Sequence, residues 1–430
     1  MSRSTSADMA TPTNAHYRKI SWRLLPLLFT CYVVAYIDRV NVGFAKLEML
    51  SDLAMSEAAY GLGAGIFFLG YFLLEVPSNL ILHRVGARLW IGRIMITWGI
   101  LSGAMSHVTT EYQFYLVRFF LGVAEAGFFP GIILYLGYWY PRGLRTRVTA
   151  IFMAAVPVAG IIGGPLSGWI MKYLEGYAGQ RGWQWMYWIE AVPALLLGLY
   201  VAAMLPDGPS DARWLSDHER QSVRSRLARE DSQKEHERFM DALSTPGFWQ
   251  LCAVYFCLVM GNYGVSFWLP SVIKGTGVTD PGQVGLLSAL PWIAALVTMI
   301  AVSASADRRQ EYRWHVAISA LVSALGFYLA ASHLHGTAGA LVAMTLAACG
   351  IITSLPIFWS LPAATLSGVA AAGGIALINS IGNLAGFLSP YLVGWLNDQT
   401  RSPATGLYAI SGFLILGALL TLTLIREKKT

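Results

Sequence analysis

The chain has 430 residues, of which 55% are hydrophobic and only 13% charged, with a mean hydropathy of +0.52. Soluble domains carry about 25% charged residues, so this composition excludes an ordinary cytosolic protein and points to a chain that crosses a membrane many times. The net charge of +6 does not indicate nucleic acid, because the basic residues recur in short clusters between apolar segments rather than in one patch.

The N-terminal stretch, MSRSTSADMATPTNAH, is polar and has no cleavable apolar core, so the first span is expected to direct insertion itself. Apolar runs of about twenty residues, bounded by Gly, Pro and charge, predict spans 1 to 6 over 20–44, 58–82, 89–107, 112–136, 148–172 and 184–205. Spans 7 to 12 follow over 247–270, 283–306, 314–333, 338–358, 373–395 and 404–425. The polar stretch between spans 6 and 7 divides the chain into equal halves. It opens with LPDGPSDARWLSDHERQ, in which Ser216 and Glu219 fit a capping box at the start of a charged helix. The expected organisation is a tail over 1–19, a six-helix bundle over 20–205, a linker over 206–246, a second bundle over 247–425 and a tail over 426–430.

Lys and Arg give the expected orientation. With the N-terminus in the cytoplasm, 23 fall on the cytoplasmic side and five, Lys46, Lys172, Arg181, Lys274 and Arg401, on the other. Both termini are therefore expected in the cytoplasm. The four cysteines, Cys31, Cys252, Cys257 and Cys349, lie in apolar segments without nearby histidines, which suits core packing better than a metal site or a disulfide. The histidines, among them His83, His107, His333 and His335, fall at helix ends or loops. No nucleophile–base pair, metal cluster or nucleotide loop is visible, so an enzyme, a metal and a cofactor are not expected.

Two arginines and two carboxylates remain inside spans: Asp38 and Arg39 in YVVAYIDRVNVGFA, and Arg118 and Glu125 in FYLVRFFLGVAEAGFFP. A charge at mid-bilayer costs at least ~2.5–3.5 kcal/mol, so such residues mark transport paths more often than packing. Arg118 and Glu125 are two turns apart on one face, too far for a direct bond; Arg118 with Asp38 is the structural pairing to weigh against a functional role. Asp38 and Arg39 point about 100° apart, so one can face a neighbouring helix and the other a cavity. Arginine stays protonated, which leaves the carboxylates to carry any transported proton. With both acids ionised the four charges cancel and each arginine can be held by a carboxylate.

The second half offers neutral groups instead: Asn262 and Tyr263 in span 7, Ser354 and Trp359 near the SLPIFW break, and Asn379 and Asn383 one turn apart in span 11. Tyr36 and Tyr71 can add hydroxyls or ring faces. Each of these also suits plain helix packing. Glu75 and Glu190, near helix ends, read as structural. In span 5, Gly160, Gly164, Pro165 and Gly168 approach a glycine-proline pattern of proton antiporters, and equally suit close helix packing.

The loop after span 2 reads NLILHRVGAR and that after span 8 SASADRRQEYR, both placing arginines between the second and third helices of their half. Arg84, Gly86 and Arg88 fit the Gly-x-x-x-Asp-Arg-x-Gly-x-Arg signature of the major facilitator superfamily, with Asn79 for the Gly and His83 for the Asp. Asp307 and Arg308 keep part of the second copy. The chain resembles that superfamily over its whole length. The strings YIDRVNVGFA, RFFLGVAEAGFFPG, GNYGVSFWLP and GGIALINSIGNLAGF are similar to its anion:cation symporter branch of bacterial organic-acid carriers. The resemblance implies an all-α integral membrane fold, twelve transmembrane helices in two pseudo-symmetric six-helix bundles.

It also implies proton-coupled uptake of a small organic anion by alternating access, in a bacterial cytoplasmic membrane, by a monomer. Asp38 and Glu125 match the branch's proton-coupling acids, and Arg39 and Arg118 its substrate and coupling arginines. Tyr36, Tyr71, Asn262, Tyr263, Ser354, Trp359, Asn379 and Asn383 are expected to complete the substrate site. Arg84, Gly86, Arg88, Asp307 and Arg308 are expected to form gating loops. Val156 stands where sugar-acid members tend to have a polar side chain, which makes a heavily hydroxylated substrate less expected. A drug or metabolite exporter, sodium coupling and a non-transporting sensor stay open.

Overall fold

In a computed structural model, residues 14–232, 246–332, 336–365 and 368–423 are described. The tails over 1–13 and 426–430, linker residues 233–245, His333 and His335 lie outside the described residues. Helix is the only regular secondary structure among those described. Six spans precede the linker and six follow it.

Span 1 runs from Asn14–Val40 into Val42–Asp52, with a turn at Asn41. Span 2 is Glu57–Val85, started by the Ser56 hydroxyl, which accepts from the Ala59 N–H at 3.1 Å. Span 3 is Ala87–Ala104, extended by one tighter turn at Met105–His107. Span 4 divides into Glu111–Glu125 and Phe128–Gly137, span 5 into Arg142–Met153 and Ala155–Tyr173, and span 6 is Gly182–Met204. The second half holds Pro246–Gly275, Pro281–Arg309, Arg313–Ser332, Thr337–Phe358 continued by Ser360–Thr365, Gly368–Thr400 and Pro403–Thr423.

Eleven spans among the described residues are long and apolar enough to cross a membrane. Span 3 stands apart because it carries Arg88 and Arg93 in its first two turns. The outward faces are apolar: Leu73, Val76, Leu80, Leu196, Leu286 and Val297 are exposed, whereas Arg118, Glu125 and Asp38 are buried. That inversion is what a lipid solvent demands.

Within the first half spans 3 and 6 pack together, and within the second spans 9, 10 and 12. Spans 2 with 11 and 5 with 8 join the halves. Small residues allow these approaches: a Cβ added to Gly164 would stand 2.8 Å from the carbonyl oxygen of Gly285. The glycines of span 5 thus abut span 8, with Gly160 against the Trp292 ring and Gly168 against the Pro281 carbonyl. At the end remote from the linker, Lys172 of span 5 is paired with Asp280 at 2.7 Å, and the Ala58 N–H donates to Asp398 at 2.7 Å.

The linker starts as read. The Ser216 N–H donates to Glu219 at 2.8 Å and the Glu219 N–H to the Ser216 hydroxyl at 3.2 Å, closing the capping box of the helix Asp217–Ser232. Lys19 of span 1 pairs with Glu219 at 2.8 Å and ties this helix to the first bundle.

Candidate functional site

Two interruptions of helix geometry build the site. In span 4 the chain leaves the α region at Ala126 and turns through Gly127 at φ +85°, a conformation that favours glycine. The freed Ala126 carbonyl accepts from the Ser78 hydroxyl at 2.6 Å, and Ser78 in turn accepts from the Trp90 indole at 3.0 Å. A side chain on Gly127 would meet Ser78, so the break and the EVPSN segment of span 2 are made for each other. Glu125 is the last residue before this break, at the end of its helix.

Arg39 from span 1 donates to Glu125 in a buried ion pair. Its guanidinium lies 5.4 Å from the Tyr71 ring centroid and 5.6 Å from that of Phe67. Its other terminal nitrogen reaches the Tyr263 hydroxyl of span 7 at 3.4 Å, a contact between the halves. Arg118 is fully buried and has different partners. It donates to the carbonyls of Gly63 at 3.3 Å and Ala64 at 3.1 Å, and its Nη1 has no hydrogen-bond partner. Asp38 accepts from the Trp98 indole at 2.7 Å and the Ser102 hydroxyl at 2.9 Å, both on span 3.

The arrangement corrects two expectations. Arg118 and Asp38 do not pair, because each is satisfied by a different neighbour, span 2 carbonyls for one and span 3 donors for the other. Only Arg39 is held by a carboxylate, so the idea of one acid for each arginine does not hold in this conformation. Asp38 and Arg39 do diverge as helix geometry requires.

Around this centre, Tyr36 shares a hydrogen bond with Ser266 at 3.1 Å and accepts from Asn262 at 3.2 Å, linking spans 1 and 7. The Asn262 Oδ1 has no hydrogen-bond partner. Tyr263 packs on Phe68 of span 2 with ring centroids 4.4 Å apart. Trp359 packs on Tyr255 at 4.8 Å, and Ser354 turns back to donate to the Ile351 carbonyl at 2.8 Å. Val156 is half-buried.

Asn379 and Asn383 do share a role, with a partner that sequence reasoning missed. Both donate to Glu75 of span 2, at 2.9 and 3.5 Å, and Ser380 adds a third bond at 3.1 Å. Spacing within span 11 pointed to one face but could not say which acid that face would meet. Lys46, one of the five cations on the non-cytoplasmic side of the expected topology, is buried. It pairs with Glu57 at 2.6 Å and lies 3.7 Å from the Trp268 ring centroid of the other half.

In the loop after span 2, Gly86 has φ +98°, and the Arg88 N–H donates to Asp207 at 2.8 Å. Asp207 of the LPDGP segment is the acid that this loop uses, and nothing in its spacing announced it. Arg84, Asp307 and Arg308 are exposed.

Comparison with known proteins agrees with this architecture. The family model described as Major Facilitator Superfamily matches residues 28–390. A protein of Agrobacterium vitis described as a candidate tartrate transporter is 47% identical, over 95% of this chain and 94% of its own length. A quinolone resistance transporter of Acinetobacter baumannii is 39% identical, over 94% of this chain and 93% of its own. Among solved structures, a bacterial homolog to the human lysosomal transporter Spinster, in an inward-facing and occupied conformation, superposes with a TM-score of 0.75. Its identity is 16%, over 95% of this chain and 97% of the other. With family, relatives and fold in agreement, the chain belongs to the Major Facilitator Superfamily, whose members are transporters and not enzymes.

Proposed function

We propose that this protein takes up a small organic anion, a carboxylate such as a sugar acid, tartrate or an aromatic acid, together with protons by alternating access. It does so as a monomer in a bacterial cytoplasmic membrane with both termini inside. The observation that carries the reading is the buried Arg39–Glu125 pair in contact with Tyr263 of the opposite half. A proton on Glu125 removes the charge that holds Arg39, and the freed guanidinium can take a substrate carboxylate through two parallel bonds. Arg118 already has an unpartnered nitrogen and supplies a second cation. Release reverses the order: the proton leaves, Glu125 reclaims Arg39, and the anion loses its partner.

Asp38 is the second coupling acid in this reading, acting through span 3 rather than through direct contact with an arginine. Tyr36, Tyr71, Asn262, Tyr263, Ser354, Trp359, Asn379 and Asn383 contribute neutral contacts, the last two once Glu75 releases them. Arg84, Gly86, Arg88, Asp307 and Arg308 act in the loops that change position between states. The kinship with a candidate tartrate transporter supports a carboxylate substrate.

The test uses purified protein in liposomes under an inward pH gradient, with external pH recorded as tartrate, galactonate, glucarate, phthalate and hydroxyphenylacetate are added in turn. Alkalinisation with one acid, absent in Asp38→Asn and Glu125→Gln, is expected. A second reading, proton-driven export of drugs or metabolites, is favoured by the kinship with the quinolone resistance transporter. It would be adopted if the acids gave no response while a fluoroquinolone moved protons.

A further inference from the structure

Glu190 of span 6 is a carboxylate that the transport reading leaves unused. It is buried, 4% exposed, and among the described residues no cation pairs with it. Its oxygens accept from two neutral donors on two other spans, Asn41 Nδ2 at 3.0 Å and the Ser167 hydroxyl at 2.6 Å. Asn41 is the turn that interrupts span 1, three residues beyond Asp38. Asn41 and Ser167 also line a cavity of about 20 Å³ between the halves, walled on the far side by Ser266, Ser288 and Trp292. That volume admits about one water. The buried Oδ1 of Asn41 has no hydrogen-bond partner, so the site has a polar atom left for that water.

We propose that Glu190 is a third proton-exchanging carboxylate, filled from this cavity through Ser167; its place in the transport cycle rests on the proton-coupled reading above. Without a cation at hand, charge balance at this carboxylate is left to a proton. The transfer needs no other reactant than a hydronium ion from bulk water. The Ser167 hydroxyl passes its proton to Glu190 as its oxygen takes one from the cavity water in its protonated, hydronium form, which leaves a neutral water, serine unchanged and the carboxyl neutral. The titratable groups around it are Asp38 on span 1 and, three residues earlier on its own helix, Tyr187. A purely structural bridge between spans 1, 5 and 6 would need the same two hydrogen bonds but no exchange of protons.

Infrared spectroscopy of the full-length protein in lipid separates the two. The parent should show a carboxyl C=O band whose amplitude changes with pH, and Glu190→Gln should lack that band. Ser167→Ala should keep the band but delay its rise after a pH jump by about tenfold or more. If Glu190→Gln does not fold, Glu190→Asp serves instead and should move the band. A titrating spectrum unchanged by these Glu190 substitutions overturns the assignment, and an undelayed rise in Ser167→Ala overturns the route. Proton uptake by the parent with tartrate is recorded alongside. Coupled uptake with a band insensitive to Glu190 substitution sinks this inference alone. A Glu190 band without coupled uptake for any acid of the panel sinks the coupling reading and leaves the proton site standing.

Discussion

Trp98 of span 3 donates its indole N–H to Asp38 at 2.7 Å, so Asp38 faces away from the arginine next to it in sequence. Arg39 instead closes on Glu125 at the break of span 4. One peptide bond therefore separates an acid tied to span 3 from a base that bridges the two halves. A proton on Asp38 would weaken the bonds from Trp98 and Ser102 and bear on the packing of span 3. A proton on Glu125 would bear on the inter-half contact through Tyr263.

The Arg39–Glu125 pair yields a double-mutant prediction. Arg39→Met strands a buried carboxylate and should cost about 3–5 kcal/mol of stability. Arg39→Met with Glu125→Leu should recover most of that loss, because both charges leave together. Thermal unfolding in detergent reads the effect; a double variant as unstable as the single one would show that the pair is not an isolated electrostatic unit.

Glu75 accepts three hydrogen bonds from span 11, of which two come from amide groups. Glu75→Gln replaces one acceptor oxygen by a donor that faces donors. A loss of about 1–3 kcal/mol is expected. Should the melting temperature match the parent's, these bonds do not hold the halves in this conformation.

Close approach of spans 5 and 8 needs Gly164, whose added Cβ would press on Gly285. Gly164→Val should abolish turnover in liposomes, since overpacking costs about 1–3 kcal/mol and here acts on the contact between halves. Gly143→Ala, where an added Cβ meets nothing within 4 Å, should transport as the parent does. Equal rates in the two variants would mean that span 5 does not close against span 8 during turnover.

The Lys19–Glu219 pair docks the linker helix and brings a defined pH dependence. The Lys19 ammonium, helped by the Ser216 N–H, holds the Glu219 carboxyl down to about 2 from an ordinary 4.5. Because the docked value is the lower one, the contribution is complete above 4.5 and fades as pH falls towards 2. A spin label at the exposed Arg224 should gain mobility only in that acid window. Lys19→Ala should loosen it at neutral pH. A label insensitive to both changes would show that this pair does not dock the helix.

Much of the architecture was legible because lipid imposes a simple rule. A run of about twenty apolar residues must form a helix to satisfy its own backbone, so the spans could be counted one by one. The divergence of Asp38 and Arg39 was legible too, since it follows from the turn of a single helix. The break in span 4 was not, because Ala126 and Gly127 look like ordinary small residues until Ser78 of another span is seen to bind the freed carbonyl. Glu75 and Glu190 read as helix-end acids for the same reason: their donors, Asn379, Ser380 and Asn383 for one and Asn41 and Ser167 for the other, come from other spans.

The sequence by itself determined that the chain is a bundle of membrane helices in two halves, with Asp38, Arg39, Arg118 and Glu125 set well inside its apolar runs. Those are properties of hydropathy and of one helix at a time. Only the tertiary structure decided that Arg39 takes Glu125, that Arg118 rests on carbonyls, that Asp38 turns to span 3 and that Glu190 is held by two residues that line a cavity. A buried charge must find a partner across helices, and which helix arrives is settled by packing between segments far apart in the chain.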